Sequence, residues 1–245
     1  MYFLSLTFSG CSSNNIDKQE SPNIGQLPNT PKTFSTTKKV LYNDVYNGHK
    51  KTFYCGCKFT STNKVYLGTC NAEPRKNVSR AKRLEAEHVF PASHFGQHRQ
   101  CWQQKLCTDS KGNKYGGRKC CNKIDPVFKT AHNDLHNLFP VIGEINGDRS
   151  NYNWGMIPGE KQSYGQCDIE VDSSIRRAEP PDNVKGNVAR VYLYMSETYG
   201  IRLSDQSKQL YQAWNKLDPV DSWEEERNKR IKEAQGNTNR FIKRG

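Results

Sequence analysis

The sequence predicts an α+β domain, cross-linked by disulfides, whose C-terminal part is helical. Three observations carry that expectation. Short stretches of apolar residues, Thr52 to Phe59, Val65 to Cys70 and Val89-Phe90 before Pro91, have the lengths and terminators of strands. Beyond Asp182 apolar residues recur at helical spacing instead. Eight of the nine cysteines, Cys55, Cys57, Cys70, Cys101, Cys107, Cys120, Cys121 and Cys167, fall in one stretch without the two CxxC pairs of a zinc ribbon. They read as up to four disulfides in an oxidising compartment rather than as a cysteine-rich zinc module.

Taken in order, Met1 to Phe8 is a short apolar run followed by Ser9-Gly10-Cys11, small residues before a cysteine. Residues 1–11 therefore resemble an export signal ending in the lipobox of bacterial lipoproteins, although no Lys or Arg precedes the run and Phe8 stands where leucine is usual. Lipid on the Cys11 thiol accounts for the odd cysteine. Residues 12–35, rich in Ser, Asn, Pro, Gln and Thr, read as a flexible linker. The folded domain is expected over residues 36–235, opening with a helix from Lys38 to Tyr46 in which Val40, Leu41 and Val45 share a face.

After the two expected strands, Arg75, Lys76, Arg80, Lys82 and Arg83 crowd the approach to Glu87-His88. The Gly- and Asn-containing loop from Cys107 to Gly117 carries neither a helix nor a strand signal. Pro140 suits the first turn of a helix, which puts Asn146 nearly two turns in. Asp182 to Tyr199 places Val188, Val191, Tyr192, Met195 and Tyr199 near one face, with Gly200 to stop the helix. Ser204 caps a second helix carrying Leu210, Trp214 and Leu217 before Pro219. Ser222 with Glu225 makes a capping box for a third, ending near Gly236 and leaving residues 236–245 as a polar tail. These apolar stripes read as core. Nothing after the first residues approaches ~18 consecutive apolar residues, which excludes a transmembrane helix there.

Lys and Arg number 37 against 25 Asp and Glu, a formal charge of +12. Such a field concentrates polyanions and makes binding to them salt-dependent. A basic surface serving solubility, or meeting acidic envelope polymers, has the same composition.

The chemistry-bearing residues are Glu87, His88 and Asn146. A carboxylate, a neutral imidazole and an amide oxygen form a minimal kit for metal-assisted hydrolysis, the two oxygens being hard ligands for a hard cation. Adjacent residues on a strand face opposite sides, so Glu87 and His88 need a strand end, bulge or turn to meet at one site. By residue type alone, each has a plainer reading: a surface Glu-His pair, and an Asn-Gly turn at Asn146-Gly147.

Glu85-Ala-Glu-His-Val-Phe-Pro-Ala92, Gln100-Cys-Trp-Gln103, Gly116-Gly-Arg-Lys119, Asp134-Leu-His-Asn-Leu138, Gly143-Glu-Ile-Asn-Gly-Asp-Arg-Ser-Asn151 and Tyr192-Leu-Tyr-Met-Ser196 follow one another in unbroken order. Together, over roughly residues 36 to 235, they resemble the bacterial endonuclease I family. The resemblance implies a ββα-metal (His-Me finger) core in a secreted or periplasmic non-specific nuclease. It implies His88 as general base, Glu87 and Asn146 as ligands of one divalent ion, and Arg118 as the cation facing phosphate in the transition state. Mg²⁺ is the expected ion, with Mn²⁺ or Ca²⁺ as substitutes. Arg80, Lys82, Arg83, Arg99 and Arg149 are the expected phosphate contacts, which predicts low sequence specificity on DNA and also action on RNA.

Within this resemblance His136 and Asn137 read as structural, Glu85 as a residue that orients a neighbour or an outer water, and His94 and His98 as surface or groove residues. Cys101 with Cys121 and Cys107 with Cys120 are the expected pairs, while Cys55, Cys57, Cys70 and Cys167 allow three arrangements. The protein is expected to act as a monomer exported from a bacterial cytoplasm, whether periplasmic, secreted or lipid-anchored through Cys11. The alternative from another class is a non-catalytic, envelope-anchored DNA-binding protein of the same fold, which would need none of Glu87, His88 and Asn146.

Overall fold

A computed structural model describes residues 26–159 and 162–244; the expected export segment, Cys11 and most of the expected linker lie outside the described residues. The first helix, α1 (Phe34–Val40), starts at Phe34 because the Thr33 hydroxyl accepts the Thr36 amide at 3.1 Å. It continues as a π-helical turn over Leu41–Val45. The expected boundary at residue 36 is therefore corrected: Leu27 and Phe34 already pack on the core, and the Asn29 amide donates to the Gln235 carbonyl.

Thr52 to Phe59 and Val65 to Cys70 are not strands. They make only single bridges, Lys51 to Lys58 and Phe59 to Val65, and Leu67–Thr69 is a 3₁₀ turn. The reason is local: Gly56, at φ +66°, turns the chain back so that the Cys57 amide donates to the Thr52 hydroxyl at 3.0 Å. Disulfides Cys55–Cys167 and Cys57–Cys70 pin this irregular segment on both sides.

A single turn, α2 (Val78–Ala81), leads into β1 (Leu84–His88). Two short helices, α3 (Ala92–Gly96) and α4 (Gln100–Gln103), precede the hairpin of β2 (Cys107–Thr108) and β3 (Lys114–Tyr115). Then come α5 (Gly117–Ile124) and α6 (Pro126–His132). The two bridges expected in this region, Cys101–Cys121 and Cys107–Cys120, tie α4 and the hairpin to α5. Each bridge contributes on the order of 2 to 4 kcal/mol by restricting the unfolded chain.

The centre of the molecule is β1 paired antiparallel with β4 (Leu138–Ile142), from Leu84 opposite Ile142 to His88 opposite Leu138, followed at once by α7 (Gly143–Arg149). This is a ββα unit. Pro140 starts no helix; it lies in β4 opposite Ala86, where a residue without an N–H is tolerated because the sheet has only two strands. Asn146 accordingly sits in the first turn of α7, not nearly two turns in. Gly143 allows the helix to begin hard against β1, since a Cβ there would lie 2.8 Å from the Arg80 carbonyl and 2.9 Å from the Glu85 carboxylate.

A small sheet of β5 (Asn153–Trp154), β6 (Glu170–Asp172) and β7 (Arg177–Glu179) precedes the helical third. There α8 (Lys185–Tyr199) ends at Gly200 with φ 63°, and α9 (Asp205–Leu217) is capped by Ser204, both as expected. The cap of α10 (Ser222–Gln235) is Asp221, boxed with Glu224, one residue before the expected Ser222 and Glu225. A carboxylate at that position also meets the positive end of the helix dipole. Beyond α10 the expected polar tail is part of the domain: Asn239 is buried and its side chain donates to the Arg190 carbonyl, and Ile242 is buried too. Among the described residues no helix is long and apolar enough to cross a membrane.

Asp134, fully buried before β4, joins the central unit to the helices. Its carboxylate accepts Tyr194 Oη at 2.7 Å, Tyr199 Oη at 2.6 Å, Gln235 Nε2 at 2.8 Å and the His136 amide at 2.9 Å. Beside it burial pushes the His136 imidazole down to about 4, with Asp134 opposing and Arg227 adding to the shift. The folded protein thus keeps His136 neutral where the unfolded chain, near ~6.5, takes up a proton. Stability present above pH 6.5 is lost as pH falls toward 4, at about 1.4 kcal/mol per pH unit for such a histidine. Denaturant titrations of the oxidised protein between pH 7 and 4 should show His136→Gln reducing the slope by that amount; identical slopes would remove His136 from the acid response.

Candidate active site

A cleft of about 870 Å³ opens between α1 and the ββα unit, with His88, Arg118 and Asn146 among its lining residues. His88 is the last residue of β1, at the mouth of the ladder. Its Nε2 lies 2.8 Å from the His132 carbonyl oxygen. A carbonyl only accepts, so Nε2 carries the proton and Nδ1 holds the lone pair. The ring lies nearly parallel to His132 (4.6 Å, 9°) and Phe34 (5.4 Å, 14°), which are themselves 4.9 Å apart. Three near-equal separations mean that each ring touches both others. Burial, then the neighbouring His132 and Arg118, hold the His88 imidazole well below its ordinary range, against the opposing hydrogen bond to His132. It is a neutral base at pH 7.

Glu87 faces the other way, as strand alternation requires. It is buried behind the cleft wall, with Oε1 3.2 Å from Arg149 Nη1. Neither carboxylate oxygen completes a hydrogen bond with good geometry among the described residues, so the guanidinium charge is its main compensation and the neighbouring Tyr54 hydroxyl a lesser one. Burial raises its pKa, and Arg149 and the Tyr54 hydroxyl oppose. The structure therefore brings His88, Asn146 and Arg118 to the cleft and sets Glu87 beneath it.

Glu85 shares the α7-facing side of β1 with Glu87, but it is the one of the two carboxylates that lines the cleft. It accepts Arg80 Nη2 at 3.0 Å, Arg83 Nη2 at 2.7 Å and Asn146 Nδ2 at 2.8 Å. Burial alone would raise its pKa, but these three partners together hold it below the usual carboxylate range. The basic segment before it is stapled to α7 by Glu144, whose carboxylate accepts the backbone amides of Arg75, Lys76 and Asn77. Arg118, exposed at the second position of α5, is followed by the two bridged cysteines that fix that helix.

The expected phosphate contacts divide. Arg80 and Arg83 line the cleft but are committed to Glu85. Lys82 is exposed outside the lining. Arg99 is held by both oxygens of Asp125, with Nη2 2.7 Å from Oδ1. Arg149 is corrected outright: its side chain is 1% exposed, it donates to the His88 and Val89 carbonyls, and it packs on the Trp154 ring at 4.5 Å. Sequence reasoning missed Lys38 and Lys39, exposed on the cleft wall of α1, as well as Phe34 and His132. The available signal was Thr33, a capping residue that moves the helix start back to Phe34.

Asn137 is structural as expected: its Oδ1 accepts the Phe90 amide at 2.7 Å and its Nδ2 donates to the Phe90 carbonyl at 3.0 Å. His136 is likewise buried in the interior. No group of three or more His, Cys, Asp or Glu among the described residues is placed to hold a metal, and all eight described cysteines are in disulfides.

The family model for Endonuclease I matches residues 32–245. Over 222 residues the chain is 46% identical to an extracellular deoxyribonuclease of Aeromonas hydrophila, covering 89% of this chain and 92% of that protein. It is 44% identical over 216 residues to a periplasmic deoxyribonuclease of the same species, covering 86% of each. A shorter match, 33% identical over 127 residues and 44% of this chain against 43% of the relative, is to an extracellular ribonuclease of Bacillus amyloliquefaciens.

The burial of Arg149 separates it from the surface cations with which it was grouped. Arg149→Ala strands the Glu87 carboxylate and should cost roughly 3 to 5 kcal/mol in denaturant unfolding. Arg83→Ala, at a side chain 60% exposed, should cost less than about 1 kcal/mol. Equal losses in the two variants would contradict this assignment.

Proposed function

The chain belongs to the endonuclease I family, and from that premise we propose that it is an exported, divalent-metal-dependent endonuclease hydrolysing DNA, and also RNA, without sequence preference. The observation that carries the reading is the tautomer of His88. With Nε2–H given to the His132 carbonyl, Nδ1 is left as a proton acceptor in a cationic cleft.

Hydrolysis of a phosphodiester needs a base for the attacking water, compensation for charge at phosphorus and help for the leaving 3′-oxygen. His88 Nδ1 takes the proton of the water, and the imidazolium so formed keeps its Nε2–H on His132. Arg118 offers its guanidinium to the phosphoryl oxygens as negative charge builds there. A bound Mg²⁺-class ion supplies Lewis acidity at phosphorus and at the leaving oxygen. Glu87 and Asn146 would hold it. Their oxygens are of the right kind, and Asn146 lines the cleft, while Glu87, paired with Arg149 beneath the wall, would have to exchange that guanidinium for the ion. Glu87 presents two carboxylate oxygens without a hydrogen bond, and Asn146, having given Nδ2 to Glu85, has Oδ1 for a cation. Mn²⁺ or Ca²⁺ would suit the same hard oxygens.

A cleft lined by Lys and Arg side chains, which meet phosphate whatever the base sequence, supports low specificity, and the ribonuclease named among the relatives supports RNA as a second substrate. Four disulfides and relatives named extracellular and periplasmic support export, with lipid on Cys11 as one means of retention at the envelope.

The test is digestion of supercoiled plasmid and of RNA by the oxidised protein in Mg²⁺ and in EDTA. Both substrates should be cut only with metal, the plasmid passing through open circles. His88→Ala should lose about 10² to 10⁴ in turnover yet still retard plasmid, more weakly as salt rises. Retardation by the wild type without cutting, across divalent ions and pH 6 to 9, would favour the DNA-binding protein instead.

A further inference from the structure

Glu85 has no part in the chemistry above, yet it is bonded to Asn146 and to two of the arginines that line the cleft. It lies two residues before Glu87 on the same face of β1, and its side chain is 19% exposed. Two arginines reach it through both Nε and Nη2, and the Asn146 amide reaches it through Nδ2. The arrangement is tightly built. At Gly147, the residue after Asn146, a Cβ would collide with the Arg80 guanidinium, so that group lies directly on the backbone of α7.

Two consequences follow from what a carboxylate can and cannot do. Left to itself an asparagine amide presents either end, because Oδ1 and Nδ2 exchange by a half-turn of the group. An ionised carboxylate has no proton to donate, so it selects Nδ2 and turns Oδ1 the other way. The same charge engages the cations of Arg80 and Arg83, leaving a local balance of two positive charges against one negative. A phosphate entering the cleft must compete with Glu85 for both guanidiniums.

We propose that Glu85 is a positioning residue that orients the Asn146 amide oxygen toward the ion while restraining Arg80 and Arg83 from the nucleic acid. The first half rests on the reading of Asn146 as a metal ligand; the second does not. The proposal makes metal affinity and metal-free DNA affinity move in opposite directions when Glu85 is neutralised. A residue that only maintained the fold would weaken both.

The experiment uses the full oxidised protein as wild type, Glu85→Gln and Asn146→Ala. Mn²⁺ binding is read by electron paramagnetic resonance of the free ion, and duplex DNA binding by anisotropy in EDTA over a range of salt. Glu85→Gln is isosteric, but Gln can turn an oxygen or an NH₂ to Asn146. It should bind Mn²⁺ at least about fivefold more weakly, near the low end of losses seen when groups supporting metal ligands are changed. It should bind metal-free DNA more tightly, with a log–log salt slope steeper by about 1 as a restrained guanidinium becomes free to meet phosphate. Glu85→Ala should give the same pair of shifts and serves if Glu85→Gln does not fold.

Unchanged Mn²⁺ affinity in Glu85→Gln, with loss in Asn146→Ala, would overturn the orienting role while leaving the metal site intact. Weaker metal-free DNA binding in the Glu85 variants would overturn the restraint. Wild-type Mn²⁺ affinity in Asn146→Ala would instead overturn the metal-site reading, and the orienting role with it, while the DNA measurement still decides the restraint.

Discussion

The arrangement of this molecule depends on one buried charge pair, Arg149 with Glu87, both only 1% exposed. Two ions are removed from water here at a desolvation cost that their attraction offsets only if other polar groups join in. Arg149 recruits those groups from the end of β1: it donates to the carbonyls of His88 and Val89, while Trp154 packs on its guanidinium face and also donates to Val89. The pair thereby clamps α7 onto the backbone that carries His88. Strand alternation, which keeps Glu87 and His88 apart, is what allows Glu87 to anchor the helix beneath while His88 faces the cleft above. Apolar residues at 87 and 149 could pack the interface, but the His88 carbonyl would lose its Arg149 donor and Val89 would keep only Trp154.

The His88 ring, the proposed base, is held from several sides. Its hydrogen bond comes from α6, its stacking from α6 and α1, and the nearby positive charge from α5. Of these, α5 owes its place to Cys101–Cys121 and Cys107–Cys120. The bridges begin two residues after Arg118, so oxidation fixes the position of that cation as well as the stability of the domain. No disulfide crosses the ββα unit itself, so its own cross-link is the Arg149–Glu87 pair.

The parts that were legible in the sequence are those governed by local rules. Gly200 ends α8 because a left-handed residue is needed there, and Ser204 caps α9 because its hydroxyl meets a free amide. The order of motifs grouped Glu87, His88, Asn146 and Arg118; three of them line the cleft, while Glu87 lies beneath it against Arg149. What could not be read is set by tertiary partners. Pro140 has the same chemistry at a helix start and in a two-stranded ladder, and only pairing with Ala86 decides between them. Arg149 has the composition of a surface cation, and nothing in Gly-Asp-Arg-Ser reveals that it turns inward to meet a carboxylate sixty-two positions earlier. Phe34 was assigned to a linker because its partners, His88 and His132, lie far along the chain.

The same distinction applies to charge. A formal +12 suggests a broad attractive field, but much of it near the cleft is locally answered: Arg80 and Arg83 by Glu85, Arg99 by Asp125, Arg149 by Glu87. Among the described residues, the exposed cations on the cleft that are not paired with a carboxylate are Lys38 and Lys39 of α1 together with Arg118, on opposite sides of His88 in sequence. Lysines are compact point charges that bind phosphate without demanding a fixed fork geometry, and under the proposed function they suit a wall that meets backbone of any sequence. The arginines, whose geometry is more exacting, are reserved beside the groups that would do the chemistry. Non-specific attraction and local alignment are thus assigned to different residues, so a wide basic surface can coexist with a closely ordered site.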